Sequence, residues 1–406
     1  MNKKYLTVLC DGMADYPGDD GKTPMDVAHK PVMDRLCADG ICGLVKTVPD
    51  GLKPGSDVCN LAALGYDPQS CYTGRSPLEA LSMGIPLDGD DVTYRINLVT
   101  LSEANDLDDR QMLDYSAGEI SSAEAEQLIN ALKPLFASAG NGIELYAGVS
   151  YRHAAVIRGG SLGTEFTPPH DILGKNIGDH LPQGICGELF RSLIKDSIDV
   201  LKDHPVNVDR IKSGKRPATA VWPWGEGTKP LLAPFREMTG KSGAVVSAVD
   251  LVKGIGVAGA MRVIDVPTAT GTVDTDYEAK AEAALGALAD NDFVFVHLEG
   301  PDECGHQGDR KGKITAIERI DERILKPLYL ALQKSGDPFA IAVMPDHATP
   351  LSVRTHTRDL VPFFIYDSET SRSGGKPFSE KNAATTGVKL DRGSNVIRAL
   401  FGTKTL

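Results

Sequence analysis

Six Asp and His side chains border four apolar runs of this 406-residue chain. Asp11 follows TVLC, Asp302 and His306 follow FVFVHLEGP, Asp346 and His347 follow AIAVMP, and His356 stands shortly before VPFFIY. Ser56, in the loop KPGSDVCNLAALGYDP, adds a hydroxyl as a seventh donor. Carboxylate, imidazole and hydroxyl donors without thiolate suit hard or borderline divalent ions such as Mn2+ or Zn2+. Seven donors exceed what one ion needs, so two ions are expected, in an enzyme that acts on phosphate. Donors so far apart in the chain meet only if the apolar runs are neighbouring strands of a parallel sheet, whose carboxyl edge is where such folds bind ligands.

Each donor also has a plainer reading. An Asp after a strand often caps a helix or forms a turn, and a lone His is more often a core or surface residue than a ligand. The pattern carries the argument. Asp302 and His306 are four apart, which puts them on one helix face. Asp346 and His347 are adjacent and share a face only on an irregular turn, which a position after Pro345 provides. Ser56 precedes an apolar helix, where it can serve as an N-cap. The same position lets helix N–H groups stabilise a phosphate on its hydroxyl, and metal coordination can make that hydroxyl a nucleophile.

Composition narrows the field. Lys and Arg total 43 against 55 Asp and Glu, a net charge of −12, which disfavours nucleic acid and anionic membrane as partners. Metal ions and a few arginines can still give a pocket the sign that an anionic substrate requires. The seven cysteines contain no CxxC, which argues against a disulfide framework and thiolate zinc and fits a reducing cytoplasm. The opening MNKKYLTVLCDG is too short in its apolar part for a signal segment, and no run has the length of a membrane span.

Stepping along the chain, strands are expected at Tyr5–Cys10, near Gly43–Val48 and over 91–100, with helices near Pro31–Asp39 and Val58–Leu64. From about Leu107 to Gly240 the candidate ligands stop. There helical patches (SSAEAEQLINALKPLF, GELFRSLIKDSIDVL) alternate with loops, GIELYAGVSYRHAAVIRG reads as a hairpin, and VWPWGEGTKP reads as a boundary loop. From Gly243 strands (GAVVSAV, MRVIDV, FVFVHL, FAIAVM) alternate with helices, including one over Lys313–Leu332, the rhythm of a parallel α/β sheet. Residues 1–106 and 241–406 are therefore expected to form a discontinuous metal-binding core, interrupted by an insertion over 107–240.

Two look-alike motifs are set aside. Gly254-Ile255-Gly256-Val257-Ala258-Gly259 matches GxGxxG after GAVVSAV, but Asp274 and Asp276, which have roughly the spacing of a dinucleotide site's acidic residue, lie in the loop TGTVDTDY after Pro267 has ended the next strand. Gly240-Lys241-Ser242 resembles a P-loop tail, but Phe235 occupies the position of its first glycine. Arg75, Arg95, Arg152, His153 and Lys253 lie in otherwise neutral stretches and together supply what a phosphorylated acid would need.

The motifs CDGMADYP, PGSDVCNLAALGYDP, YTGRSPLEALSMGI, HPVNVDRIKSGKRPA, ATGTVDTDYEAKAEAAL, PDECGHQGD and PDHATP…RTHT resemble, in order and wording, the cofactor-independent phosphoglycerate mutases of the archaeal type, within the alkaline phosphatase superfamily. The resemblance runs nearly end to end. It implies an alkaline phosphatase-like α/β core with a mainly parallel sheet, and an inserted α+β domain that covers the substrate. It implies two divalent ions (Mn2+, Mg2+ or Zn2+) and no requirement for 2,3-bisphosphoglycerate. By position, Asp11, Ser56, Asp346 and His347 match the ligands of one ion, and Asp302, His306 and His356 those of the other. Ser56 matches the serine that takes up the phosphoryl group from 3-phosphoglycerate before the 2-hydroxyl takes it back, a glycolytic and gluconeogenic step of the cytoplasm. Lys253 and Arg75, with Arg95, Arg152 and His153, match the substrate pocket. One position departs: many relatives carry histidine four residues after this serine, where Asn60 stands here. Relatives with the variant loop point to an alternative, a homoserine kinase-like phosphotransferase on the same serine and metals.

Overall fold

The computed structural model describes residues 3–370 and 374–405. The chain divides into two compact units, Met1–Tyr72 with Leu231–Leu406, and Thr73–Pro230.

The first unit is built on an eight-stranded sheet. Its spatial order is Arg262–Ile264, Gly243–Val246, Phe293–Leu298, Lys4–Cys10, Phe339–Met344, Val361–Asp367, Ile41–Val45 and Lys389–Leu390. The first five run parallel, and Val361–Asp367 is antiparallel to both of its neighbours. Strands covered on both faces read as continuous apolar runs rather than alternating ones, as KYLTVLC, FVFVHL and FAIAVM do. On one face Leu6, Val8, Val294, Val296, Ile341 and Val343 pack with Ala281, Ala284, Ile317, Ile320 and Ile324 from helices. Elsewhere in this core Phe293 stacks on Phe235, and Tyr5 meets Phe401 edge-on.

The sequence predicts one helix over Lys313–Leu332. The structure has an α-helix Arg310–Arg319, a π-helical turn Ile320–Leu325 and an α-helix Lys326–Ser335. Within that turn, buried Asp321 accepts the N–H groups of Val32 and Met33 at the start of helix Pro31–Ala38. The GxGxxG stretch also resolves against a nucleotide reading. Gly254 and Gly256 lie buried inside helix Asp250–Ala258 rather than in a loop before it, and Gly240 is the left-handed C-cap of helix Phe235–Thr239.

The second unit is antiparallel. Strand Val92–Leu101 lies between Arg152–Ile157 and Ala220–Thr228, with Ile143–Tyr146 beyond and Met112–Asp114 at one end. Helices Ser122–Ser138 and Gly187–Leu201 contribute Leu128, Leu132, Phe136, Phe190 and Leu193 to its core. Two features differ from expectation. The unit begins at Thr73 rather than 107, because Val92–Leu101 finds its partners among later strands of the same unit. VWPWGEGT is strand rather than boundary loop: among the described residues it pairs with Val92–Leu101 alone, so the missing N–H of Pro223 costs no ladder bond on its outer side.

Candidate metal centre

Three adjacent strands, Phe293–Leu298, Lys4–Cys10 and Phe339–Met344, deliver side chains to one edge of the first sheet. Asp11 directly follows Cys10. The parallel register carries it beside Leu298, whose carbonyl accepts the Asp11 N–H at 2.9 Å. Gly12 turns the chain with φ +60°, and a Cβ there would lie 2.4 Å from Asp302 Oδ1; only glycine allows this approach. Asp346 and His347 occupy a bend after Pro345. Asp302 and His306 lie on helix Gly300–Gln307. Ser56 is the first residue of helix Ser56–Ala63, whose N-cap is Gly55.

These side chains form two overlapping groups. Asp11, Asp346 and His347, all buried, present donor atoms within 4.8 Å of one another, as do Asp302, His347 and His356. His347 Nε2 lies 3.4 Å from Asp11 Oδ1, 3.3 Å from Asp346 Oδ2 and 3.2 Å from Ser56 Oγ. Around Asp302, His306 Nε2 approaches Oδ2 at 3.2 Å and His356 Nε2 approaches Oδ1 at 3.5 Å. The two Nε2 atoms of His306 and His356 are 3.0 Å apart. The His347 and His356 rings overlap, with centroids 3.9 Å apart.

The electrostatics call for cations. Burial, then the charges of Asp346, Asp302 and Glu299, push the Asp11 carboxyl well above its ordinary range. Its Oδ1 is buried without a hydrogen-bond partner. Burial would raise Asp302 too, but His306, His356 and His347 hold it well below the usual carboxylate range. Asp302 in turn pushes the His306 ring up to about 9, against its burial. A crowd of carboxylates with one orphaned oxygen fits divalent ions, and a proton alone neutralises it poorly. Burial raises the nearby Cys10 and Cys59 thiols, so the donor set stays oxygen and nitrogen.

A further ring of residues, absent from the sequence reading, supports these donors. His297 Nε2 is 2.9 Å from Asp11 Oδ2 and its Nδ1 is 3.2 Å from Ser247 Oγ; burial holds the imidazole near 3, so it is neutral. The signal was present: a histidine inside the apolar run FVFVHL. The His306 Nδ1–H donates to the Arg354 carbonyl at 3.1 Å, and Arg354 holds the left-handed φ of 58°. Lys313, fully buried, donates to Asp15 Oδ2 at 2.7 Å and to the Thr349 carbonyl at 2.8 Å. Helical spacing already puts Lys313 on the face of Ala316 and Ile317. Asn60 donates to Asp346 Oδ2 and to the Ser56 carbonyl, both at 2.9 Å. Its amide hydrogens are thereby committed to a carboxylate and to the serine's own backbone.

The expected basic residues separate. Arg75, Arg95, Arg152 and His153 belong to the second unit and Lys253 to the first, where it donates to Asp265 at 2.8 Å. Arg75 and Arg95 bracket one carboxylate, with Nε atoms 2.9 Å from Glu79 Oε1 and Oε2; the Arg95 contact lacks hydrogen-bond alignment. Burial would raise Glu79, but Arg95, Arg75 and Arg152 hold it below its ordinary value. The Arg95 guanidinium lies 4.2 Å above the Trp224 ring, and His170 packs edge-on against the same indole. His153 is buried, its ring held near 3 by burial and then by Arg152, and its Nδ1 accepts the Gly148 N–H at 3.0 Å.

Residues 37–207 match the family model described as 2,3-bisphosphoglycerate-independent phosphoglycerate mutase. A Methanosarcina barkeri protein of that name is 49% identical over 407 residues, spanning 99% of this chain and all of the relative. A solved protein of Pyrococcus horikoshii superposes with a TM-score of 0.82 at 29% identity, covering 100% of this chain and 99% of the other. The cofactor-independent phosphoglycerate mutase of Thermoplasma acidophilum does so with 0.66 at 25% identity, covering 99% of each chain. With identity of this degree sustained from end to end, the chain belongs to the 2,3-bisphosphoglycerate-independent phosphoglycerate mutases.

Proposed function

We propose that this phosphoglycerate mutase interconverts 3-phosphoglycerate and 2-phosphoglycerate through a phosphoserine on Ser56. In this reading Asp11, Asp346, His347 and Ser56 hold one divalent ion, and Asp302, His306 and His356 hold a second. The observation that carries it is the position of Ser56 Oγ, 3.2 Å from His347 Nε2 at the first turn of a helix. When bound, the ions supply positive charge that favours the serine alkoxide and offsets charge on the phosphate oxygens.

The protein's own groups account for the rest. Ser56 Oγ attacks phosphorus, the bond from phosphorus to the C3 oxygen breaks, and the serine proton ends on glycerate. N–H groups in the first turn of helix Ser56–Ala63 favour the negative phosphoryl group there. Glycerate turns, its 2-hydroxyl oxygen attacks phosphorus, the bond from phosphorus to Ser56 Oγ breaks, and the 2-hydroxyl proton returns to the serine. Arg75, Arg95, Arg152 and Lys253 are proposed to hold the carboxylate and phosphate; Arg75 and Arg152 are the more exposed of these. His153 belongs with them in the proposal as a neutral ring, since burial keeps it uncharged.

The test is incubation of Mn2+-loaded protein with 3-phosphoglycerate, free of 2,3-bisphosphoglycerate, followed by 31P NMR and by mass analysis of acid-quenched protein. The expected result is 2-phosphoglycerate together with a phosphoryl adduct on Ser56, and neither in Ser56→Ala. Turnover retained by Ser56→Ala would overturn the covalent route.

A further inference from the structure

Thr349 is fully buried and belongs to neither proposed ligand set, yet its hydroxyl touches a member of each. Oγ1 lies 2.5 Å from Asp302 Oδ1 and 3.1 Å from His347 Nδ1. A hydroxyl has one proton to give and two lone pairs. The ionised Asp302 oxygen can only accept, so the Thr349 proton points there. His347 must then donate its Nδ1–H to Thr349, which leaves the lone pair on Nε2, the atom facing Asp11, Asp346 and Ser56.

The threonine is held from three sides. Its N–H donates to the Ala14 carbonyl at 3.3 Å, and its carbonyl accepts from Lys313 at 2.8 Å. Gly305 of the Asp302 helix passes so close that a Cβ there would lie 2.5 Å from the Thr349 carbonyl oxygen. Other supporting groups serve one set each: His297 holds Asp11, Asn60 holds Asp346, and the Arg354 carbonyl holds His306.

We propose that Thr349 is a positioning residue shared by the two ion sites, fixing the tautomer of His347 and the rotamer of Asp302 with one hydroxyl. The proposal rests on the two-ion reading above. Its consequence is that losing this hydroxyl weakens both ions, whereas losing a single-set partner weakens one. Supporting groups of this kind typically change metal affinity by about 10–100-fold.

The experiment is a titration of metal-free protein with Mn2+ alone, reading free Mn2+ by electron paramagnetic resonance. Thr349→Val is expected to weaken both binding steps by about 10–100-fold, Thr349→Ser to retain wild-type affinity, and His297→Phe to weaken one step only. Thr349→Val that leaves either step unchanged overturns the proposal, as does Thr349→Ser that loses both. A second measurement needs no variant: 15N NMR of the metal-free wild-type protein is expected to show His347 protonated on Nδ1. Protonation on Nε2 alone overturns the proposal. Wild-type protein that binds no Mn2+ overturns the two-ion reading itself, and the proposal with it.

Discussion

Asn60 Nδ2 donates to Asp346 Oδ2 at 2.9 Å. The same amide reaches back to the carbonyl of Ser56, one helical turn earlier, so one side chain ties the helix that bears Ser56 to a carboxylate at the end of a core strand. Asn60 is fully buried and bonds the Asp346 oxygen that faces His347 Nε2.

Asn60→Leu strips both acceptors of their donor. Affinity for one of the two proposed divalent ions is expected to fall by about tenfold or more, with 3-phosphoglycerate still the substrate. A Mn2+ titration, paired with product analysis on 3-phosphoglycerate and on homoserine, checks this. Unchanged affinity with a new preference for homoserine would revive the alternative that Asn60 selects the acceptor.

In the second unit, Glu79 stands between Arg75 and the buried Arg95, whose guanidinium burial has already lowered to about 10. Glu79→Gln leaves Arg95 charged and buried beside a neutral amide, with the Trp224 face below it and no counter-charge from residue 79. Breaking a buried pair from one side costs on the order of 3–5 kcal/mol. Urea unfolding should show a lower midpoint of that size for the variant. Glu79→Gln with wild-type stability would mean that the arginines are satisfied without the carboxylate.

Glu380 gives the protein a pH dependence. Burial pushes its carboxyl from 4.5 up to about 7, although Thr23 and the Asp15 N–H hold it partly back. The folded state therefore binds more protons than the unfolded chain between those two values, and stability falls as pH rises through them. Above about pH 7 the loss is complete, at roughly 3 kcal/mol from this group. Glu380→Gln should melt higher than wild type at pH 8, with the two melting curves converging towards pH 4.5. A constant difference between the two proteins across that range would refute the assignment.

Much of this was legible beforehand, for a physical reason. The strands bordering the Asp and His clusters are buried on both faces, so they read as unbroken apolar runs, and the i,i+4 spacing of Asp302 and His306 does lie on a helix. What escaped were features set by tertiary partners. Ala220–Thr228 carries a proline and two glycines that read as loop, yet an edge position tolerates them. Val92–Leu101 looks like any core strand, and only its pairing assigns it to the second unit. His297 and Lys313 left traces, a titratable group within an apolar run and a cation on an apolar helix face. Thr349 left none, because a threonine beside a histidine is unremarkable until the helix bearing Asp302 packs against it.

The central position of strand Lys4–Cys10 governs when the site can exist during synthesis. Tyr5 pairs with Phe293 on one side and Ala340 on the other, so this strand is flanked by two that are made almost 300 residues or more after it. Every strand pairing of the Thr73–Pro230 unit is available once Pro230 has been made. Strand Lys4–Cys10 instead waits unpaired on both edges until Phe293–Leu298 has been made, and on one edge until Phe339–Met344 has been made. Pairings this distant in sequence form slowly and leave aggregation-prone edges open meanwhile. A chain that stops short of His347 therefore carries Asp11 and Ser56 without their partners, so the Ser56 hydroxyl gains its imidazole neighbour only after His347 has been made.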